Sequence, residues 1–448
     1  MTAQTTIFAL SSGSLPAGIA VVRLSGPSAG RAVQELAGDL PAPRRASLRR
    51  LRGRTGGLVD EALVLWLPGP DTVTGEDMAE FHLHGSAAVV EKLSAELLAL
   101  PGMALAGPGE FTRRAFANGR MDLTQVEGLS DLLAAQTEHQ RQQALRLFSG
   151  DASSVFEDWR RQVIAAEASL TAAIDFNEEE DVGVQALADL RPRLGQLIRT
   201  LEKALLQAGR AGALRDGFKV VLTGPPNAGK SSLLNGLAGR DAAIISSEAG
   251  TTRDVIEVPV MLADYRVILT DTAGLRSVSA DQGVEQEGMR RAQAEVAAAD
   301  IVLWVVAPDV TADASPVAQP DLVILNKSDL ASGPTQTIRT RNGESYTVDL
   351  AVSAMTGAGL DRLLQRLGEM ISARMMGAED AVVVRMRHVA ALQRTIRLLN
   401  DALSVEKMGL EVMAESLREA AQSLASLTGK VDVEDVLGQI FSEFCIGK

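Results

Sequence analysis

The fold is decided by the stretch GPPNAGKS, residues 224–231, which follows the apolar run Lys219–Thr223. It matches the pattern G-x-x-x-x-G-K-[ST], in which the glycines let backbone N–H groups wrap around phosphate oxygens. This pattern needs a strand before it and a helix after it, and the stretch Ser231–Leu237 is helix-forming. Lys230 would reach the terminal phosphates of a nucleotide, and Ser231 would place its hydroxyl on Mg²⁺. The stretch therefore predicts a phosphate-binding loop within an α/β domain.

Three later motifs follow further strand-like runs, in the order typical of a Ras-like P-loop GTPase domain. DTAG (271–274) offers an Asp that can hold Mg²⁺ through water and a glycine N–H for the γ-phosphate. In NKSD (326–329), the Asp329 carboxylate can accept from the ring N–H and the amino group of guanine, an arrangement that adenine does not offer. SAM (353–355) could contact the base oxygen. The set predicts guanine-nucleotide binding.

The residue after DTAG raises a question about hydrolysis. Many GTPases carry a Gln there to orient the attacking water. This chain has Leu275, which cannot polarise water. Catalysis must therefore use another acid or base and another source of positive charge.

The chain divides into four predicted segments. Residues 1–118 mix strand-like runs (Ile19–Leu24, Ala62–Leu67, Met78–Leu83) with loops rich in Gly and Pro, and residues 119–215 have helical spacing. Residues 216–375 alternate strands and helices, and residues 376–448 return to helix. The pattern predicts an α/β domain inserted into one helical domain whose two sequence halves pack together, preceded by an α+β domain.

Two local features leave testable expectations. Pro192 suits the first turn of the second helix of the 119–215 segment. The arginine-rich stretch 44–54 could contact the phosphates of a nucleic acid, although a solvated loop is the more ordinary interpretation of a charge run.

Composition excludes several classes of protein. A length of 448 residues suggests two or three domains, and only 3% aromatic residues favours helices and α/β units over β-sandwiches. The net charge of −13 argues against a protein that binds nucleic acid through its overall charge. The single cysteine, Cys445, excludes an intramolecular disulfide, and the apolar run Ile301–Ala307 is far short of the roughly 20 residues that cross a membrane. With no signal-like N-terminus, we expect a cytoplasmic protein without a membrane segment.

Longer stretches of the sequence resemble one family from end to end. In the central domain these are GPPNAGKSSLLN (224–235), AGTTRD (249–254) and DTAGLR (271–276). Outside it, the matching stretches are TGEDMAEFHLHG (74–85), GPGEFTRRAFANGRMDLTQVEGLSDLL (107–133), IDFNEEED (174–181) and the terminal CIGK (445–448). The sequence closely resembles the tRNA-modifying GTPase family MnmE, also called TrmE.

The resemblance implies a specific activity. With an FAD-dependent partner of the MnmG (GidA) type, in a heterotetramer or larger assembly, the family installs a carboxymethylaminomethyl-type group on carbon 5 of the wobble uridine of tRNA. The one-carbon unit is implied to come from a tetrahydrofolate derivative, 5-formyl- or 5,10-methylene-tetrahydrofolate, bound by an N-terminal domain that also forms a homodimer. The GTPase domains are implied to pair across a K⁺ ion, which would supply the missing positive charge.

The resemblance also assigns site residues. K⁺ ligands fall on Asn227, Ser246, Glu248 (through its backbone carbonyl) and Thr251, and Mg²⁺ ligands on Ser231 and Thr252. The family's catalytic Glu corresponds to Glu285, which would orient the attacking water; Glu287 is the alternative, and a solvated helix-face carboxylate is the ordinary interpretation. The full predicted GTP-binding set is Asn227, Ala228, Gly229, Lys230, Ser231, Ser232, Ser246, Ser247, Glu248, Ala249, Gly250, Thr251, Thr252, Asp271, Thr272, Ala273, Gly274, Asn326, Lys327, Asp329, Ser353, Ala354 and Met355.

The folate positions carry over to Arg23, Glu80, Arg120 and Lys448. A carboxylate such as Glu80 suits the adjacent N–H and NH₂ donors of a pterin, and cations suit its acceptors or glutamate carboxylates. Arg120 stands where the family often has a Lys. Cys445 is either a reactive thiol or a small buried residue.

Two other functions compete with the leading hypothesis. A folate- and partner-binding scaffold would use GTP only as a conformational timer. A ribosome-assembly GTPase would need a basic RNA-binding face, against which the net charge and the terminal CIGK argue.

Overall fold

A computed structural model gives the structure of the chain as two compact units. It describes residues 5–175, 180–239, 256–271, 290, 293–310, 316, 318–331, 337–340, 343–404, 409–431, 437–438, 440–441, 444 and 447, without the side chains of 175, 180–187, 189 and 256. Unit 1 comprises residues 1–130, 147–194 and 397–448; unit 2 comprises residues 131–146 and 195–396. The four segments expected from the sequence stay predictions. In the described part of the chain, no helix is both long enough and apolar enough to span a membrane.

Unit 1 contains a six-stranded sheet with two helices on one face. The strand order is β3-β4-β5-β2-β1-β6; neighbours are antiparallel except β1 and β6. Inward side chains such as Phe8, Val22 and Phe81 are fully buried with Leu93 and Leu97 of α2. The three strands expected from alternating apolar residues are confirmed as parts of β2, β4 and β5. The elements are β1 Thr6–Leu10, β2 Ala17–Ser25, α1 Ala29–Ala37, β3 Ser47–Arg52, β4 Leu58–Leu67, β5 Met78–Gly85, α2 Ala87–Leu98 and β6 Met103–Leu105.

The arginine-rich stretch is largely an edge strand, so the expectation of a loop is wrong. Within β3, Leu51 is completely buried, whereas Arg50 and Arg52 point to the solvent. Arg50 Nε lies 2.5 Å from Glu61 Oε1 on β4. The burial of one leucine and the pairing with β4 stabilise this run as a strand, although its charge alone suggests a loop.

The next part of the chain is helical. The helices are α3 Glu110–Ala117, α4 Leu123–Ala134, α5 Glu138–Ser149, α6 Asp151–Asp175 and α7 Glu180–Asp216, with α10 Met386–Ser404 and α11 Leu410–Ala425 after the central sheet. In unit 1, α6 packs against α11. Trp159, Val163 and Leu170 of α6 and Leu417 and Leu424 of α11 are buried at helical spacing. Helices from before and after the central domain therefore share one core.

Pro192 does not open a helix, so that prediction is wrong. Helix α7 begins at Glu180, and Pro192 lies inside it. An interior proline costs about 3 kcal/mol. Leu190, Leu194 and Leu201 are nearly completely buried, and each such side chain stabilises by about 1.5–3 kcal/mol. Apolar burial on both sides of the proline therefore outweighs the lost hydrogen bond.

Unit 2 contains a second six-stranded sheet, in the order β14-β11-β10-β7-β9-β8. All neighbours are parallel except the edge strand β8. The strand expected before the phosphate loop, Lys219–Thr223, is confirmed as part of β7. The elements are β7 Phe218–Thr223, α8 Lys230–Ala238, β8 Ile256–Leu262, β9 Tyr265–Asp271, β10 Ile301–Val306, β11 Leu322–Leu325, β12 Thr337–Arg339, β13 Ser345–Thr347, β14 Leu350–Ala351 and α9 Leu360–Met375. Loops that follow parallel strands meet at one edge of a sheet, where ligands of such folds bind.

Candidate nucleotide-binding site

The loop from residue 224 to 229 joins β7 to α8, as the sequence predicts. Gly224 has a φ of 139°, and a Cβ added there would lie 2.0 Å from the backbone oxygen of Val305. Gly229 has a φ of 84°, and its added Cβ would lie 2.4 Å from Asn326 Nδ2. Asn227 also has a positive φ, 61°. The positive φ and the close contacts at Gly224 and Gly229 require glycine at both positions, and they set the path of the loop between β7 and α8.

Two polar side chains at the start of α8 are anchored beside this loop. Lys230 is buried, and its Nζ donates to the backbone oxygens of Gly224 (3.1 Å) and Pro225 (2.9 Å). Ser231 Oγ donates to Oδ2 of Asp271, a completely buried carboxylate at the end of β9. The Ser231 and Asp271 oxygens are donors of the kind that Mg²⁺ prefers.

Asn326 ties three loops together at the edge of the sheet. Its side chain is buried at 1% exposure. Its Nδ2 donates to the backbone oxygens of Ala228 (2.9 Å) and Gly229 (3.3 Å) in the phosphate loop. Its Oδ1 accepts from the backbone N–H of Ala354, at 3.1 Å. The phosphate loop, the NKSD loop and the SAM loop are therefore joined through one amide.

The residues around Asn326 form the side of the site at which the sequence predicts base contacts. Lys327 has a φ of 55°, and its Nζ lies 2.7 Å from Asp309 Oδ2. The hydrogen bond from Lys327 holds the pKa of the Asp309 carboxyl below its usual range. Asp329 is exposed in the short turn Ser328–Leu330, and Met355 is 91% exposed. An exposed carboxylate beside an ordered loop is free to accept from a ligand's donors.

The remaining predicted nucleotide residues lie outside the described part of the chain. They are Ser246, Ser247, Glu248, Ala249, Gly250, Thr251, Thr252, Thr272, Ala273, Gly274 and the candidate catalytic residues Glu285 and Glu287. Cys445 and Lys448 lie outside it too. Ser232 is described, as an exposed residue of α8.

A second polar cluster lies on the sheet of unit 1. Arg23 on β2 is the register partner of Glu80 on β5, and its Nε lies 2.9 Å from Glu80 Oε1. His82 Nε2 lies 3.1 Å from Glu80 Oε2. Burial alone would raise the pKa of Glu80, but hydrogen bonds and charge from His82 and Arg23 outweigh it and hold that pKa below its usual range. Glu80 is therefore an ionised, half-buried acceptor.

Arg120 lies after α3, with its stem against a turn. Gly75 has a φ of 77°, and an added Cβ there would lie 3.3 Å from Arg120 Cγ, so another residue at 75 would be strained and would press on the arginine stem. The nearest carboxylate, Asp71, is 3.7 Å from Arg120 Nη1 and 83% exposed. The guanidinium is only loosely paired, which leaves it able to bind an anion.

Two contacts of these clusters were not predicted from the sequence. Asp309 follows β10 and belongs to no recognisable motif. Its position just after a strand is the one feature of the sequence that could have suggested a place at the nucleotide site. His82 lies two residues from Glu80 on the same strand, so strand alternation could have placed them together. Among the described residues, no three His, Cys, Asp or Glu side chains group as a metal site.

Comparison with known proteins gives matches over nearly the whole chain. The family model described as the MnmE helical domain matches residues 123–445, and that of the GTP-binding protein TrmE N-terminus matches residues 6–120. A tRNA modification GTPase MnmE from Brucella canis is 45% identical over 445 residues, covering 99% of this chain and 98% of that protein. One from Bradyrhizobium sp. (strain ORS 278) is 47% identical over 443 residues, covering 99% of both. Among solved structures, Aquifex aeolicus Era bound to GDP and AlF4⁻ is 25% identical and covers 34% of this chain and 56% of its own, with a TM-score of 0.25.

Proposed function

This chain belongs to the MnmE family of tRNA modification GTPases, and on that premise we propose that it is a K⁺-activated GTPase that modifies carbon 5 of the tRNA wobble uridine. GTP hydrolysis in tRNA modification is the activity that the named relatives share. The observation that carries the nucleotide site is the Asn326 side chain, which joins the phosphate loop to both base loops. Through its hydrogen bonds, Asn326 holds the phosphate loop and the NKSD loop, which carries Asp329, at the same edge of the sheet.

The chain's own residues would account for nucleotide binding. Backbone N–H groups of the 224–229 loop and the N-terminus of α8 would bind phosphate oxygens. Lys230 Nζ would exchange its carbonyl partners for the terminal phosphates, a short movement for a flexible ammonium. Asp329 would accept from guanine. Glu285 would orient the water that attacks the γ-phosphate, a role that stays a prediction.

The residues that would hold cations have suitable chemistry. Ser231 Oγ and Asp271 Oδ2 offer hard oxygen donors for Mg²⁺, with Thr252 as the further predicted ligand. Asn227 is exposed at the outer bend of the loop, and its side-chain oxygen can serve K⁺. K⁺ would supply the positive charge that an arginine supplies in other GTPases. Ser246, Glu248 and Thr251 complete the proposed K⁺ set.

The cluster around Glu80 supports a tetrahydrofolate derivative as the one-carbon donor. An ionised carboxylate suits the N–H and NH₂ donors of a pterin, and Arg23 and Arg120 suit the acceptors or glutamate carboxylates. Lys448 is the fourth proposed folate residue, and Cys445 is a proposed reactive thiol.

A homodimer through the N-terminal sheet is supported by its second face. Helices α1 and α2 cover one face of the sheet, and the other face carries solvent-exposed apolar side chains. Leu48, Leu63 and Ile19 are 66%, 44% and 60% exposed, and Leu48 is the register partner of Leu63. A second copy would bury these residues. An FAD-dependent partner of the MnmG type, tRNA as substrate and a cytoplasmic location complete the proposal.

Steady-state GTP hydrolysis in matched KCl and NaCl tests the cation. We expect faster turnover in KCl, GTP but not ATP as substrate, and no KCl advantage for Asn227→Ala with GDP binding retained. Asn235→Ala, an exposed asparagine of α8, is the matched control and should keep the KCl advantage. Equal rates of the unmodified protein in both salts would refute K⁺ activation.

A second experiment separates the enzyme from a scaffold that uses GTP only as a timer. Glu285→Ala protein that still binds GTP should fail to support wobble-uridine modification with its partner. Full modification by that variant would refute a requirement for hydrolysis.

A further inference from the structure

Asp309 lies beside the base side of the site, on a loop to which no motif assigns a role. Strands β10 and β11 are parallel neighbours, with Val306 opposite Leu325, so the loops after them open on the same edge of the sheet. Asp309 is on the loop after β10, and Lys327 is on the loop after β11. The carboxylate Oδ2 of Asp309 lies 2.7 Å from Lys327 Nζ, within charge-assisted hydrogen-bond distance.

The Lys327 side chain spans the space between two other parts of the site. A Cβ added to Gly229 would lie 3.9 Å from Lys327 Cε, so the far end of the lysine stem is next to the last glycine of the phosphate loop. The left-handed backbone of Lys327, rare for a residue other than glycine, sets the direction in which the stem leaves the loop. The stem is thus directed by the NKSD loop, lies at the phosphate loop and ends on Asp309.

We infer that Asp309 is a positioning residue for guanine-nucleotide binding: it holds Lys327 extended between the phosphate loop and the base loop before the nucleotide arrives. A lysine has a flexible four-carbon stem, and anchoring its ammonium removes conformations that binding would otherwise have to exclude. The inference rests on the proposed nucleotide site. The Lys327 side chain is 28% exposed and that of Asp309 is 44% exposed, so the pair is open to replacement without opening the core.

The sign of the effect distinguishes positioning from a plain surface charge. A nucleotide is an anion, so removing a nearby negative charge that has no other role should leave affinity unchanged or tighten it. If Asp309 positions Lys327, the same removal should weaken binding, because Lys327 loses its anchor. The two explanations therefore predict opposite changes in Kd.

The experiment measures GDP affinity of the full chain by isothermal titration calorimetry, with KM and kcat for GTP. For Asp309→Asn we expect the GDP Kd to rise about three- to fivefold, the upper range for an exposed ion pair. KM should rise by more than kcat falls, and Asp309→Glu should recover at least half of the affinity. Glu369→Gln, which removes an exposed carboxylate (54%) paired with Arg366 on α9, is the charge-matched control and should bind GDP like the unmodified protein.

A double-mutant cycle completes the test. In a Lys327→Met background, Asp309→Asn should have no further effect on GDP affinity, because its only route of action is gone. An unchanged or lower Kd for Asp309→Asn, or an equal loss in the Lys327→Met background, would overturn the inference. Failure of the unmodified protein to bind GDP would instead refute the proposed function.

Discussion

Replacing Asn326 by alanine should disconnect the three loops of the nucleotide site. The side chain is 1% exposed and makes three hydrogen bonds, to the backbone oxygens of Ala228 and Gly229 and from the N–H of Ala354. Alanine would leave three backbone groups without this partner. At a net value of about 0.5–1.5 kcal/mol for each bond, the loss is about 1.5–4.5 kcal/mol.

The assay is thermal unfolding in the absence of nucleotide. The transition to follow is the one whose Tm rises when GDP is added in a separate measurement. For a domain of this size, 1 kcal/mol shifts Tm by about 2–4 °C, so Asn326→Ala should lower that transition by about 3–18 °C. GDP affinity should fall as well, because the phosphate loop is no longer held against the base loops. Asn235→Ala on the exposed face of α8 is the control, and surface changes of that kind stay within about 0.5 kcal/mol.

One result would refute the reasoning about Asn326. If Asn326→Ala melts within about 1 °C of the unmodified protein, the three bonds carry no net stability, and the magnitude of about 1 kcal/mol for each is wrong here. Loss of GDP binding without loss of stability would restrict Asn326 to ligand contact.

The other predictions concern the phosphate loop, the Glu80 cluster and α5. Gly224→Ala should abolish GDP binding and destabilise the protein by about 3 kcal/mol or more, because its Cβ would lie 2.0 Å from a backbone oxygen of β10. The control is Gly209→Ala, whose Cβ would have no atom within 4 Å and which should be neutral or stabilising. A folded Gly224→Ala protein with normal GDP affinity would contradict the geometry. Burial raises the pKa of Glu80, but the cations beside it lower it further, so its ionised form stabilises the fold above the unfolded pKa and that contribution disappears as pH falls through the folded pKa. The Tm difference between unmodified protein and Glu80→Gln should therefore shrink from about pH 6 to about pH 3, and a constant difference would argue against an ionised Glu80. Gln143 is buried and donates to two backbone oxygens in segments 68 and 235 residues away, so Gln143→Ala should cost about 1–2 kcal/mol by denaturant unfolding, whereas its exposed neighbour Gln142→Ala should cost little. Equal losses for the two glutamines would exclude a role for burial.

The place of the phosphate loop between β7 and α8 could be predicted because its signals are local. The loop glycines, Lys230 and Ser231 lie within eight consecutive positions, and the strand before them is an unbroken apolar run. The same locality misled at Pro192, where a proline read as a helix start lies inside a helix whose leucines are buried on both sides of it. The same kind of local argument wrongly suggested a loop at β3, because the surrounding arginines gave no sign that Leu51 is buried.

Local sequence patterns are enough to predict which chemical groups this protein has and the order in which strands and helices present them. Glycine, lysine and hydroxyl groups at fixed spacing, and the alternation of apolar residues, act between near neighbours and need no other part of the chain. The tertiary structure alone decided that Asn326 meets Ala228, 98 positions away, that Lys327 ends on Asp309, and that Arg23 pairs with Glu80, 57 positions away. The physical reason is that strand order and register bring these residues together, and register is set by the burial of whole sheet faces rather than by any local pattern.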